Sequence, residues 1–276
     1  MRTVPFRAIP FALALLTTAF GSGGSAAADA APAAAPRDTA ELVLERRELD
    51  AVTGKSAAET RLRLNLGTCN SLRATLGLAA QEPDPLLYTG RLNGVFTERR
   101  YYSAGRAATY TEAPPLPVLV DLERWQMDPA PPASRTAPDC SKLELRAQRS
   151  GKLWADGVVW DLNYQTKEAV GRSSAADFTA RKSAFVATAS SIEVPGVGSC
   201  TLVAPRSGVQ PAGSSLCYWK HFPLDTRLNL PWLLQSDNGA SSGLRITNKA
   251  LSASTGTPQD AALFQPPTDF TRRNPS

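Results

Sequence analysis

Apolar and polar residues alternate at period two along much of this chain, the pattern of strands with one buried face. Residues 41–49 (ELVLERREL) and 59–67 (ETRLRLNLG) both show it. In the second run Leu62, Leu64 and Leu66 share one face, and Arg61, Arg63 and Asn65 take the other. With Gly54 between the runs, the pair predicts a hairpin. Residues 70–79 fit a short helix or a strand. Tyr88 to Tyr102 reads as a long bent strand or a strand pair, and residues 118–125 (VLVDLERW) as a further strand. Residues 128–139 (DPAPPASRTAPD) are a loop by composition.

The sharpest local signal is Asp156-Gly157, a dipeptide favoured in type I′ turns. Pairing its flanks sets Ala155 against Val158, Trp154 against Val159 and Leu153 against Trp160. Leu153, Trp160, Leu162 and Tyr164 then share a buried face, joined by Leu143, Leu145 and Ala147 if the register continues. Trp154, Asp161, Asn163 and Gln165 take the wetter one. Residues 174–190 predict a helix capped by Ser174, with Phe178, Phe185, Val186 and Ala189 in one apolar stripe. Strands follow at 200–205, 216–222, 227–235 and 243–254, the last two separated by a turn at Asp237-Asn238-Gly239. The sum is an α+β fold, mainly antiparallel β, with a helix laid on a curved sheet.

The N-terminus changes this picture. Arg2 and Arg7 precede an apolar run from Ile9 to Phe20, followed by small residues (GSGGSAAADA), the three-part pattern of a secretory signal peptide. Residues 1–30 are therefore expected to be removed near Ala28 or Ala30, leaving a periplasmic or secreted protein. The apolar run is too short to span a membrane. Residues 31–38 read as a disordered Ala/Pro-rich lead-in, 39–270 as a single β-rich domain and 271–276 as a polar tail. Cys69, Cys140, Cys200 and Cys217 all lie in the exported part. An even count in an oxidising compartment predicts two disulfides. Four cysteines allow three connectivities, which the sequence does not decide among. The one expected joins Cys200 to Cys217, which sit in strand-like runs flanking a Gly/Pro/Ser-rich connection, and so Cys69 to Cys140.

Charge and chemistry narrow the function. The chain has 276 residues and a net charge of +5, and the leader removes Arg2 and Arg7 from that surplus. Without a basic run there is no case for nucleic-acid binding. No phosphate loop, nucleophile elbow or HExxH occurs. The single histidine, His221, would have to serve any triad. Glu98, Glu112, Asp121, Glu123, Asp156 and Asp161 are carboxylates without a distinguishing pattern. The reading is a non-enzyme with no cofactor and no metal, with a cell-envelope interaction or structural protein as the alternative and an exported hydrolase third. The aromatic residues Trp125, Trp160, Tyr164, Phe178, Phe185, Trp219, Phe222, Trp232 and Phe264 either fill a core or line a cavity.

The order of these features resembles the periplasmic outer-membrane lipoprotein carrier (LolA-like) family. A signal peptide precedes consecutive strands and the Ala155-Asp156-Gly157-Val158-Val159-Trp160 turn. A helix and long strands follow, containing Phe222-Pro223-Leu224 and Asp237-Asn238-Gly239, and the chain closes on Ala262-Leu263-Phe264-Gln265-Pro266-Pro267. The likeness covers about residues 153–270. It implies an incomplete, half-open β-barrel or strongly curved sheet with helices packed on the concave face. It also implies an apolar cavity for a lipid or acyl group, with a lipid or acylated protein as partner and transient membrane contact.

Overall fold

The computed structural model describes residues 39–103, 105–173, 185–205, 208, 214–219, 233–239 and 243–274. The expected signal peptide and lead-in lie outside these residues. Among those described, two helices, α1 (Ala57–Thr75) and α2 (Val120–Met127), accompany one large, open, curved sheet that is mostly antiparallel. Its described strands are β1 (Thr39–Asp50), β2 (Val95–Ser103), β3 (Arg106–Leu119), β4 (Leu143–Ala155), β5 (Val158–Asn163) and β6 (Glu168–Ser173). They continue with β7 (Phe185–Val194), β8 (Gly198–Pro205), β9 (Ser214–Trp219), β10 (Leu233–Asn238), β11 (Leu244–Thr255) and β12 (Thr271–Arg273). The order across the sheet is β12-β6-β5-β4-β3-β2-β1-β11-β10-β9-β8-β7. Of these strands only β12 runs parallel to its neighbour, β6, so the polar tail begins with an edge strand.

The Asp156-Gly157 hairpin forms in the expected register. Its two turn residues have φ of 52° and 74°, as a type I′ turn requires. The faces differ from expectation. Trp154 and Val159 are buried rather than wet, in a cluster with Leu42, Leu44, Ala107, Leu234 and Trp219. Leu153 and Leu162 are buried on the other face with Tyr101, Phe264 and Phe270, and Trp160 and Tyr164 pack against them. Ala147 is exposed, and Leu143 and Leu145 pack instead with the helix residues Leu62, Cys69 and Leu122. Both faces of this hairpin are therefore covered, and alternation alone does not report which face meets water.

Three expected elements change type. Residues 59–67 lie in α1, so β1 pairs not with them but with β2 and β11. Ser56 accepts a hydrogen bond from the Glu59 N–H at 3.0 Å and caps the helix. Leu62 and Cys69 face inward on a helical spacing, while Leu64 is exposed. Residues 118–125 divide: β3 ends at Leu119 and α2 begins at Val120, burying Leu122 and pairing Glu123 with Arg146 at 2.7 Å. Residues 185–190 of the expected helix lie in β7, where β-branched Val186, Thr188, Ile192 and Val194 suit a pleated strand. Residues 174–184 are outside the described set. Within 88–102 only residues 95–102 are strand.

Gly94 marks the entry to β2. Its φ is +70°, and a Cβ there would lie 2.3 Å from the Glu48 carbonyl oxygen. That carbonyl is backbone and cannot rotate away. Gly94→Ala is expected to lower stability by about 1–3 kcal/mol through combined strain and clash, read as a lower urea midpoint with an unchanged slope.

The turn between β10 and β11 has its own clamp. Asp237 accepts from Arg245 at 2.7 Å and from the Gly239 N–H at 2.9 Å. The Arg245 bond, and then the Gly239 one, hold its carboxyl below the usual carboxylate range. A lowered folded-state value gives stability that is present above the unfolded value and lost as pH falls through the folded one. Asp237→Asn is therefore expected to show a smaller drop in melting temperature between pH 6 and pH 3 than the parent protein.

Candidate functional site

Two regions of the sheet combine burial with polar chemistry. The first is the face carrying Leu42 and Leu44. Alternation along β1 continues that face to Arg46 and Glu48, and the paired register brings Phe96, Glu98 and Arg100 of β2 onto it. Glu98 and Arg100 form an ion pair whose side chains are only 8% and 12% exposed. Arg46 pairs with Glu48 and lies 5.2 Å above the Phe96 ring. On β10 the buried Ser236 accepts from Asn248 at 2.8 Å. Arg46 Nε and Thr109 Oγ1 are buried and lack a hydrogen-bond partner among the described residues. Charged pairs and unsatisfied donors thus sit in register beside a strongly apolar cluster.

A cleft of about 220 Å³ opens at the end of this region, lined by Glu48, Phe96, Pro114 and Gln148 of the sheet and by Ser56 and Arg61 at the start of α1.

The second region is a groove of about 430 Å³ over β2, β3 and β4. Three residues of β2, Thr97, Arg99 and Tyr101, contribute to it at every second position, with Tyr110 and Glu112 of β3 and Arg149 of β4 alongside. Thr97, Glu112 and Arg149 form one rung of the sheet; Arg99, Tyr110 and Gly151 form the next. A Cβ on Gly151 would stand 3.2 Å from the Tyr110 ring and 3.0 Å from Leu162, so the glycine makes room for that ring. Tyr101 meets Tyr110 edge-on at 6.2 Å, and Tyr164 carries the Arg149 guanidinium 5.1 Å above its ring. Arg149 also pairs with Glu112 at 3.3 Å. The Tyr110 hydroxyl donates to the Leu263 carbonyl at 2.6 Å, tying the turn at Ala261–Phe264 to the groove wall. Burial pushes the Tyr110 and Tyr164 phenols up, so both keep their protons.

The expected aromatic cavity wall is not one assembly among the described residues. Trp160, Tyr164 and Phe264 come together in one cluster, with Phe264 fully buried. Trp219 belongs to the Leu42 cluster. Trp125 stands apart on α2, its ring stacked with Arg135 at 4.7 Å. Phe185 lies on β7, and Phe178, Phe222, Trp232 and His221 are outside the described residues. The candidate carboxylates also separate: Asp121 pairs with Lys142, Glu123 with Arg146 and Asp161 with Arg172, while Asp156 occupies its turn. The sequence reading missed Arg99, Tyr101, Tyr110 and Arg149. Arg99 and Tyr101 could have been found from the period-two run Thr97-Arg99-Tyr101 of β2, whereas Tyr110 and Arg149 join them only through strand pairing.

Both expected disulfides form: Cys69–Cys140 with Cα atoms 5.9 Å apart and Cys200–Cys217 with 5.5 Å. They are compatible with an exported protein. No described helix is long and apolar enough to cross a membrane. Among the described residues no group of three or more His, Cys, Asp or Glu side chains could hold a metal ion.

No protein-family model matches the chain. No curated protein matches it either. Among solved structures, an uncharacterised conserved protein from Thermus thermophilus aligns at 10% identity and a TM-score of 0.38, over 86% of this chain and 91% of its own. A PNGF-II structure aligns at 9% identity and a TM-score of 0.36, over 86% of this chain and 32% of its own, so this chain spans about a third of PNGF-II. Both likenesses are too loose to bear on function.

Proposed function

We propose that the protein is an exported carrier that binds a lipid or acyl group non-covalently on the face bearing Leu42 and Leu44. The observation behind this reading is the juxtaposition on that face. A contiguous apolar cluster reaches from Val159 of β5 through Leu42, Leu44 and Ala250 to Trp219 and Val194, and charged pairs lie in register beside it. An amphiphile has that same division, an apolar chain ending in a polar head. Arg46 and Arg100 would meet an acidic head group, and Thr109 Oγ1 would gain a hydrogen-bond partner from it. On this reading α1 covers one end of the face, its first turn sharing a cleft with Glu48 and Phe96. The two disulfides suit the periplasmic or extracellular setting in which such a carrier would work.

The test is native mass spectrometry of protein purified from its own host. A co-purifying acyl lipid is the expected result. A clean apo mass, together with unchanged tryptophan fluorescence on adding a long-chain fatty acid, overturns the proposal. In that case the alternative gains: an envelope interaction protein whose sheet is filled by its own side chains. The full burial of Leu42, Leu44 and Leu234 on that same face favours this alternative.

A further inference from the structure

We propose that the groove over β2, β3 and β4 is a second binding site, on the sheet face opposite the Leu42 cluster, for a sugar ring that bears a carboxylate. Its floor is aromatic. Tyr110 lies over Gly151, Tyr101 meets it edge-on and Tyr164 forms the far wall. Flat apolar rings of this kind pack against the C–H faces of a pyranose, while the ring hydroxyls need partners at the rim. Glu112 and Arg149 stand at that rim as acceptor and donor, paired with each other at 3.3 Å. The volume of about 430 Å³ falls within the range of small-molecule sites.

Charge selects the kind of sugar. With Arg149 matched to Glu112, Arg99 is the groove's cation without a carboxylate partner among the described residues. It is exposed, on the rung that also carries Tyr110. A guanidinium there offers a two-pronged donor to a carboxylate projecting from a ring seated on Tyr110. An acyl chain would cover the Arg99 guanidinium and the Glu112–Arg149 pair without offering either a hydrogen bond. A nucleic-acid strand would meet the Glu112 carboxylate within a groove that holds only two cations.

The experiment is isothermal titration of the full exported chain with digalacturonate and, in parallel, with the uncharged galactose disaccharide. Digalacturonate is expected to bind, with Arg99→Ala and Arg149→Ala each weakening it by about tenfold or more. The neutral disaccharide is expected to bind more weakly and to be indifferent to Arg99→Ala. Both substitutions are at exposed positions, and unchanged melting temperatures would establish that the fold is kept. Failure of digalacturonate to bind at millimolar concentration overturns the proposal. So does binding that Arg99→Ala leaves unchanged, or equal affinity for the two disaccharides. Tighter binding of 4-hydroxybenzoate than of digalacturonate would assign the groove to aromatic acids and overturn it as well. None of these readouts depends on a lipid on the other face.

Discussion

Replacing Cys69 and Cys140 together with alanine is expected to lower the stability of the protein by about 4 kcal/mol, measured by urea unfolding under non-reducing conditions. The bridge closes a loop of sequence separation 71, and both cysteines are fully buried. A loop of that length restricts the unfolded chain considerably, since the entropy removed grows with the logarithm of loop size. The bridge also sits in a corner with its own polar frame. Asn70 and Gln81 exchange hydrogen bonds of 3.0 and 2.9 Å, Gln81 Oε1 accepts from the Cys140 N–H at 3.1 Å, and Arg73 donates to the Ala79 and Pro138 carbonyls at 2.8 and 3.1 Å. These bonds keep α1 seated once folding is complete. The loss should therefore appear chiefly as a shift of the unfolding equilibrium, with native far-ultraviolet circular dichroism retained. Loss of helical signal in the unstressed variant would show that the bridge, not the frame, holds α1.

Glu98→Ala is expected to cost about 3–5 kcal/mol, because it strips the Arg100 guanidinium of a carboxylate at a site nearly closed to water. Glu98 is 6% exposed, on the face that carries Leu42 and Leu44. The informative partner is the double variant Glu98→Leu/Arg100→Met. Removing both charges relieves their desolvation penalty, so this variant should recover most of the stability and could exceed the parent. Binding separates the roles. If the pair meets the head group of a bound amphiphile, the double variant folds but takes up a long-chain fatty acid more weakly. Undiminished uptake would make the pair purely structural.

Legibility differed sharply along the chain. The β4–β5 hairpin could be read to the residue because Asp156-Gly157 fixes turn type and register locally. That the four cysteines pair was readable from their even count, but the sequence allows three connectivities and only the fold selects Cys69–Cys140 with Cys200–Cys217. The α1 segment misled because Leu62, Leu64 and Leu66 satisfy period two, although Leu62, Leu66 and Cys69 equally satisfy the helical spacing. Ser56-Ala57-Ala58-Glu59 just upstream matches a capping box and breaks the tie, but only when weighed against the alternation. At β7 the error ran the other way: Phe185, Val186 and Ala189 satisfied a helical stripe, and the β-branched residues carried the better signal. The groove was invisible for a further reason. Its side chains come from three strands and the turn at 261–264, and Tyr110 meets Leu263 only through tertiary folding. No local pattern encodes that meeting.

The strand order has a kinetic consequence. β1 to β6 pair with their neighbours in chain order, and so do β7 to β11, so the sheet is two meanders joined along the long seam where Ala40 meets Thr255 and Asp50 meets Leu244, with the short β12 added at the β6 edge. Each meander pairs strands that follow one another in the chain, with α1 between β1 and β2 and α2 between β3 and β4, whereas the seam closes one of the longest loops the chain can form. Folding speed is then governed by seam closure. Until it closes, the first meander displays the unpaired edge of β1, a long strand that a second copy's β11 could occupy in place of its own. Crowded folding of this protein should accordingly yield strand-exchanged dimers before it yields disordered aggregate.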